Sequence, residues 1–181
     1  MDVYDTIYSI LVSNNNTISG RTVIQKLAYL SSRKIPELEV PPYMAHYYGP
    51  FSPGLGWALE KMVSYSFLYE ANNPGDIYAG YTYGLTDDGR KIAKKAESEH
   101  KETFAKVSSI VKTCKDFCSL KTAPLSYATK IHYMLYSDVS RDNMSFSDAV
   151  QHARTLGWKV SKDNVEQGAK LLEKLELGTV S

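Results

Sequence analysis

The sequence predicts a mainly helical fold of the α+β class: a small antiparallel sheet early in the chain, then an all-helical second half. Two observations carry this. Apolar residues recur three and four apart through much of the 181 residues, the period of helices that bury one face. Short aromatic, strand-like runs bounded by Gly, Pro and Asn are placed between Tyr43 and Leu85.

Each element has its own signal. Val3, Ile7, Ile10 and Leu11 keep helical spacing until the run Ser13 to Asn16, which predicts a first helix over about 3–12. Thr17 or Ser19 can cap a second helix, with Val23, Ile24, Leu27, Ala28 and Leu30 inward and Arg21, Gln25 and Lys26 outward. Pro36, Pro41 and Pro42 close it, and the aromatic run Tyr43 to Gly49 then suits a short strand. Ser52 is a natural N-cap and Pro53 a natural first helical residue, because its missing N–H would have no partner there. In the helix that follows, Leu55, Ala58, Leu59, Met62 and Val63 form the core face, while Trp57, Glu60, Lys61 and Ser64 share the opposite one.

Two strands are predicted next, joined by the turn formers Asn72 to Asp76, with Tyr81, Tyr83 and Leu85 alternating onto one face of the second. Thr86 can cap one long helix over 86–118, whose inward stripe is Ile92, Ala96, Phe104, Val107, Ile110, Val111, Cys114 and Cys118. An aromatic helix near Tyr127 to Tyr136, a capping box at Ser145 to Asp148 and a final helix from about Asp163 to Leu175 complete the chain. There is no internal repeat.

With 21 basic and 20 acidic residues the net charge is +1, so any electrostatic footprint must be local. Residues 1–85 carry five basic and seven acidic groups, whereas 86–130 carry ten and six, with Arg90, Lys91, Lys94 and Lys95 grouped together. The acidic, interrupted N-terminus is unlike a signal peptide and no stretch reaches the length of a membrane span, so a soluble cytoplasmic protein is expected. Cys114 and Cys118, one helical turn apart, read as buried thiols: two sulfurs cannot fill a structural zinc shell. No phosphate loop, nucleophile elbow or His-Glu-x-x-His run occurs, and His46, His100, His132 and His152 are scattered. The expectation is therefore a non-enzymatic protein without a cofactor.

Helix, helix, short strand, helix and hairpin is the element order of a winged helix-turn-helix, predicted here over 1–95, with a helical extension over 96–181. "GRTVIQKLAYLSSR", "YYGPFSPGL" with "LEKM", and "YGLTDDGRK" resemble the pattern of the YwgA-like proteins, a prokaryotic family, largely uncharacterised and regarded as winged-helix. The resemblance runs from about Thr17 to Lys95, with a fainter continuation from Ala153. A weaker one is to Panacea-type antitoxin domains, through the Gly-Pro turn. Ser66 departs from the family pattern, which usually places Gly at this helix end, where a left-handed residue is easiest for Gly.

In a DNA-binding winged helix the third helix enters the major groove. The resemblance and element order then assign Ser52, Gly56, Trp57, Lys61 and Ser64 to the groove, the amides near Ser52 to a phosphate, and Arg90, Lys91, Lys94 and Lys95 to the DNA backbone. Glu60 and the absence of Arg on this helix weigh against that reading. The competing expectation is a protein-binding adaptor or antitoxin-like module using Trp57, Glu60 and Lys61. Trp57 is either an anchor for a partner or covered by the C-terminal helices. The stripe of the long helix either packs within the chain or makes a homodimer through 86–118. The tyrosine clusters at 43–48 and 78–83 suit cross-strand packing or stacking on single-stranded nucleic acid.

Overall fold

The computed structural model describes residues 1–72, 80–137 and 145–178. The chain divides into two compact units, one of residues 1–42 and 52–112, the other of residues 43–51 and 113–181. The division expected at Lys95 does not coincide with this one. Residues 96–112 are tied into the first unit, where His100 lies 3.6 Å from Asp5 and Lys106 lies 3.4 Å from Glu37.

The first unit runs α1 (Val3–Val12), β1 (Thr17–Ser19), α2 (Arg21–Lys34), α3 (Pro53–Ser64), β2 (Leu68–Asn72), β3 (Tyr81–Leu85) and α4 (Asp87–Glu99). The next helix, α5 (Lys101–Cys118), begins in this unit. The strands form one antiparallel sheet in the order β1-β3-β2, with Tyr83 opposite Ile18 on one side and Glu70 on the other. Ile7, Ile10, Leu11, Val23, Ile24, Leu27, Leu55, Leu59, Leu68 and Leu85 are all buried, so the predicted apolar faces make the core. Val63 is half-buried at its margin.

Several expectations are corrected. Thr17 and Ser19 do not cap α2, because they are paired to β3; the N-cap is Gly20, whose φ of +98° suits glycine and whose N–H donates to Tyr81 O. Residues 43–49 are not a strand. Only Met44 and Phe51 bridge, across a turn in which Gly49 has a φ of +95°. Gln25 and Lys26 are buried rather than outward, Gln25 because its side chain is bonded to Ser52. The helix expected over 86–118 is broken at His100, whose φ of −124° and ψ of 38° are not helical. The face that α4 buries is Gly89, Ala93 and Ala96, which leaves Ile92 exposed. Tyr81 is exposed while Tyr83 and Leu85 are buried, so the predicted alternation holds for two of three positions. The expected turn after Asn72, and Tyr78, lie outside the described residues.

The second unit contains α6 (Thr122–Ser137), α7 (Phe146–Thr155) and α8 (Lys162–Lys174). Capping boxes start α7 at Ser145 and α8 at Ser161, each side-chain oxygen accepting from the amide three residues on. Helices α6 and α8 meet at Gly168, where a Cβ would stand 2.8 Å from the Ala128 nitrogen; only glycine lets the backbones come this close. Trp158 is buried, and its Nε1 donates to His46 O at 2.6 Å, which places residues 43–51 in this unit. Among the described residues no helix is long and apolar enough to cross a membrane.

Candidate functional site: the exposed face of the third helix

The start of α3 is fixed by a buried clamp. Gln25 Nε2 donates to Ser52 O at 2.9 Å and Gln25 Oε1 accepts from Ser52 N at 3.0 Å, so one side-chain amide bonds both backbone polar groups of the buried Ser52, whose carbonyl also accepts from Gly56 N at 3.1 Å. Ser52 Oγ accepts from Leu55 N at 3.3 Å, the predicted cap, and donates to Pro41 O at 3.1 Å. Gly54 abuts Pro41, whose ring atoms would lie 2.7 and 2.9 Å from an added Cβ. The helix therefore begins inside the unit. Ser52 is fully buried and Gly56 is buried one position from Leu55 and three from Leu59, so neither faces a groove. Of the amides assigned to a phosphate, Leu55 N–H is already bonded to Ser52 Oγ and Gly56 N–H to Ser52 O.

The other end closes with a Schellman motif. Phe67 N donates to Met62 O and Ser66 N to Val63 O, both at 2.9 Å, with Ser66 left-handed at φ +59°. The Leu-Thr-x-x-Gly motif locks this end to α4. Thr86 Oγ1 donates to Ser66 O at 2.7 Å and accepts from Gly89 N at 3.0 Å. Gly89 has no room for a side chain, because a Cβ would stand 1.9 Å from Phe67 O.

Between these ends, Trp57, Glu60, Lys61 and Ser64 are exposed, as predicted, and Tyr65 extends the face. Trp57 is 68% exposed. Glu60 is not a bare charge: Arg21 Nη1 lies 3.2 Å from its carboxylate. Arg21 also reaches Glu70 at 3.8 Å and donates through Nε to Tyr83 Oη at 3.3 Å, joining α2, α3 and the sheet. The Tyr83 bond and the two carboxylates hold the Arg21 guanidinium above its usual value. Burial, with the Glu70 hydrogen bond, pushes the Tyr83 hydroxyl up to about 12. Arg21 is outward, as its helical position requires, but neither this network nor the Gln25 clamp follows from helical period. Only the adjacency of Gly20 and Arg21, and of Gln25 and Lys26, in the family-like helix hinted at either.

The basic cluster of α4 is largely self-neutralised. Arg90 donates to Leu85 O at 2.7 Å and pairs with Asp87; Lys91 pairs with Asp88 at 2.8 Å and Lys95 with Glu99 at 3.9 Å. All these pairs are exposed, so they redistribute charge more than they stabilise. Lys94 makes no ion pair among the described residues. Helix α4 carries four acids against its four bases, and the whole first unit twelve of each. The positive charge counted over 86–130 is thus not concentrated beside α3.

The remaining candidates are structural or dispersed. Phe104, Val107, Ile110, Val111 and Cys114, the predicted stripe on α5, are buried. Cys114 is buried as expected, which pushes its thiol up to about 12, whereas Cys118 is half-buried, its Sγ donating to Cys114 O at 3.2 Å. Tyr47 and Tyr48 are exposed and meet edge to face at 4.9 Å, outside any strand.

No family model matches the chain. It is 27% identical over 116 residues to the uncharacterised protein YwgA of Bacillus subtilis (strain 168), a match covering 64% of this chain and 69% of that protein. Over this span the chain is YwgA-like, the family likeness that its Gly-Arg, Gly-Pro and Leu-Thr-x-x-Gly motifs predict.

Proposed function

We propose that the first unit is a non-enzymatic winged helix-turn-helix module that binds a partner protein through the exposed face of α3. The order α1-β1-α2-α3-β2-β3 and the sheet order β1-β3-β2 support the winged-helix reading. The observation that carries the choice of partner is Trp57, 68% exposed in a unit without net charge, beside a glutamate already paired with Arg21. An indole buries on the order of 200 Å² when covered, so docking this one contributes about 3 kcal/mol. A protein surface with an apolar pocket, rimmed by an acid that meets Lys61, answers this face. Duplex DNA asks for several unpaired cations along a phosphate track, and here Ser52 and Gly56 are buried and three of the four α4 cations are paired.

DNA binding is kept as the second reading on one observation: Lys61 and Ser64 are exposed on α3, where a winged helix carries its reading surface. Fluorescence anisotropy with a random duplex separates the two. The protein-binding reading expects no association at about 50 mM salt, where phosphate contacts are strong. Association that weakens steeply toward about 200 mM, and that survives Trp57→Ala but not Lys61→Glu, would replace it with the DNA reading.

A further inference from the structure

Lys130, in the second unit, is 7% exposed on α6, yet pairs with no carboxylate among the described residues. Its Nζ lies 5.5 Å from the centre of the Trp158 ring, and burial holds the ammonium below the ordinary lysine value. A buried cation without an anion is costly to keep, so Lys130 has a counter-charge still to be met, which the described residues do not supply. One turn earlier on the same helix, Ser126 is 4% exposed and its Oγ has no hydrogen-bond partner. Orphaned hydroxyls of this kind are uncommon in folded proteins.

Both side chains line one cavity of about 350 Å³, a size that suits a small ligand. Thr122 and Ala123, at the N-terminus of the 16-residue helix α6, line it too, and their N–H groups reach no backbone carbonyl among the described residues. Such amides carry the positive end of the helix dipole. Lys159 adds a second ammonium, and among the described residues no carboxylate is in the wall. The charged and amide groups here can only donate, which is the chemistry of an anion's site. Tyr47, Tyr48 and Tyr127 make up the rest, surfaces suited to a planar ring. We propose that this cavity binds a mononucleotide, its phosphate held by Lys130, Lys159, Ser126 and the start of α6, and its base held against the tyrosines. Inorganic phosphate would use the donors and leave the aromatic wall empty.

The test is calorimetric titration of the full chain with nucleoside monophosphates, the free nucleosides and inorganic phosphate. Monophosphates are expected to bind, and to bind more tightly than either fragment. Lys130→Met is expected to weaken them about tenfold or more, the cost of losing a charged hydrogen bond, while raising the melting temperature because a buried charge is removed. Lys159→Ala, at an exposed position, gives the same direction of loss without disturbing the interior. Absence of binding overturns the site, and so does binding untouched by Lys130→Met and Lys159→Ala. Equal affinity for phosphate and monophosphates overturns the assignment of a base. A lowered melting temperature in Lys130→Met makes the lysine a structural group and overturns its proposed role.

Discussion

Replacing Ser66 by glycine tests the physical account of how α3 is held. Ser66 closes the Schellman motif at φ +59°, where an L-residue brings its Cβ against the carbonyl oxygen and pays about 1–2 kcal/mol. Glycine removes that strain, and its greater freedom in the unfolded chain returns about 0.5–1 kcal/mol of the gain. The Ser66 side chain is exposed, and the bonds at this position, from Ser66 N to Val63 O and from Thr86 Oγ1 to Ser66 O, use only backbone atoms of residue 66. Ser66→Gly should therefore stabilise by about 0.5–1 kcal/mol, read as a higher urea midpoint at unchanged slope. A midpoint that falls, or that does not move, would refute the reasoning, since nothing else at this position opposes the relief. Ser66→Ala, which keeps the Cβ, should show no gain.

The remaining predictions address the clamp, the motif glycine and the buried lysine. Gln25→Leu leaves the buried N–H of Ser52 without a partner, while the Ser52 C=O keeps the Gly56 N–H, and should cost about 1–3 kcal/mol in a urea titration, more than the loss of an exposed glutamine. Gly89→Ala drives a methyl into Phe67 O and should destabilise by about 3 kcal/mol or more, because the obstacle is backbone. Arg21→Met should cost less than about 1 kcal/mol by the same measurement, since its ion pairs are exposed. Lys130 has a depressed pKa in the fold, so the unfolded chain binds the extra proton between the two values. Wild-type stability should then fall as pH drops from about 10.4 through the folded pKa, relative to Lys130→Met, which lacks that dependence.

Much of the fold was legible because local signals decide it. The Ser52 and Thr86 caps, the Ser145 capping box, the core face of α3 and the buried Cys114 each follow from residues within one or two helical turns. What failed depends on partners far away in sequence. Thr17 and Ser19 look like caps until β3, more than sixty residues on, claims them as a strand. Gln25 looks like a solvent-facing glutamine until the Ser52 peptide arrives at its amide. The run from Tyr43 to Gly49 has strand composition, but Trp158 fixes it through a single carbonyl, 112 residues away. The candidate face was half legible: Trp57, Lys61 and Ser64 point outward as the helical period requires, whereas Ser52 and Gly56 were assigned to it by analogy and are core. The charge of Glu60 and of the α4 lysines could be counted but not their pairing, and pairing decides what α3 presents.

Position 57 offers the most direct test of what α3 binds. With a photoreactive phenylalanine analogue in place of Trp57, illumination of the cells that make this protein should yield one protein adduct of definite mass. Excess wild-type chain should suppress it, and the Trp57→Ala chain should not. A nucleic-acid adduct from that position, or a protein adduct that both chains suppress equally, would contradict the account.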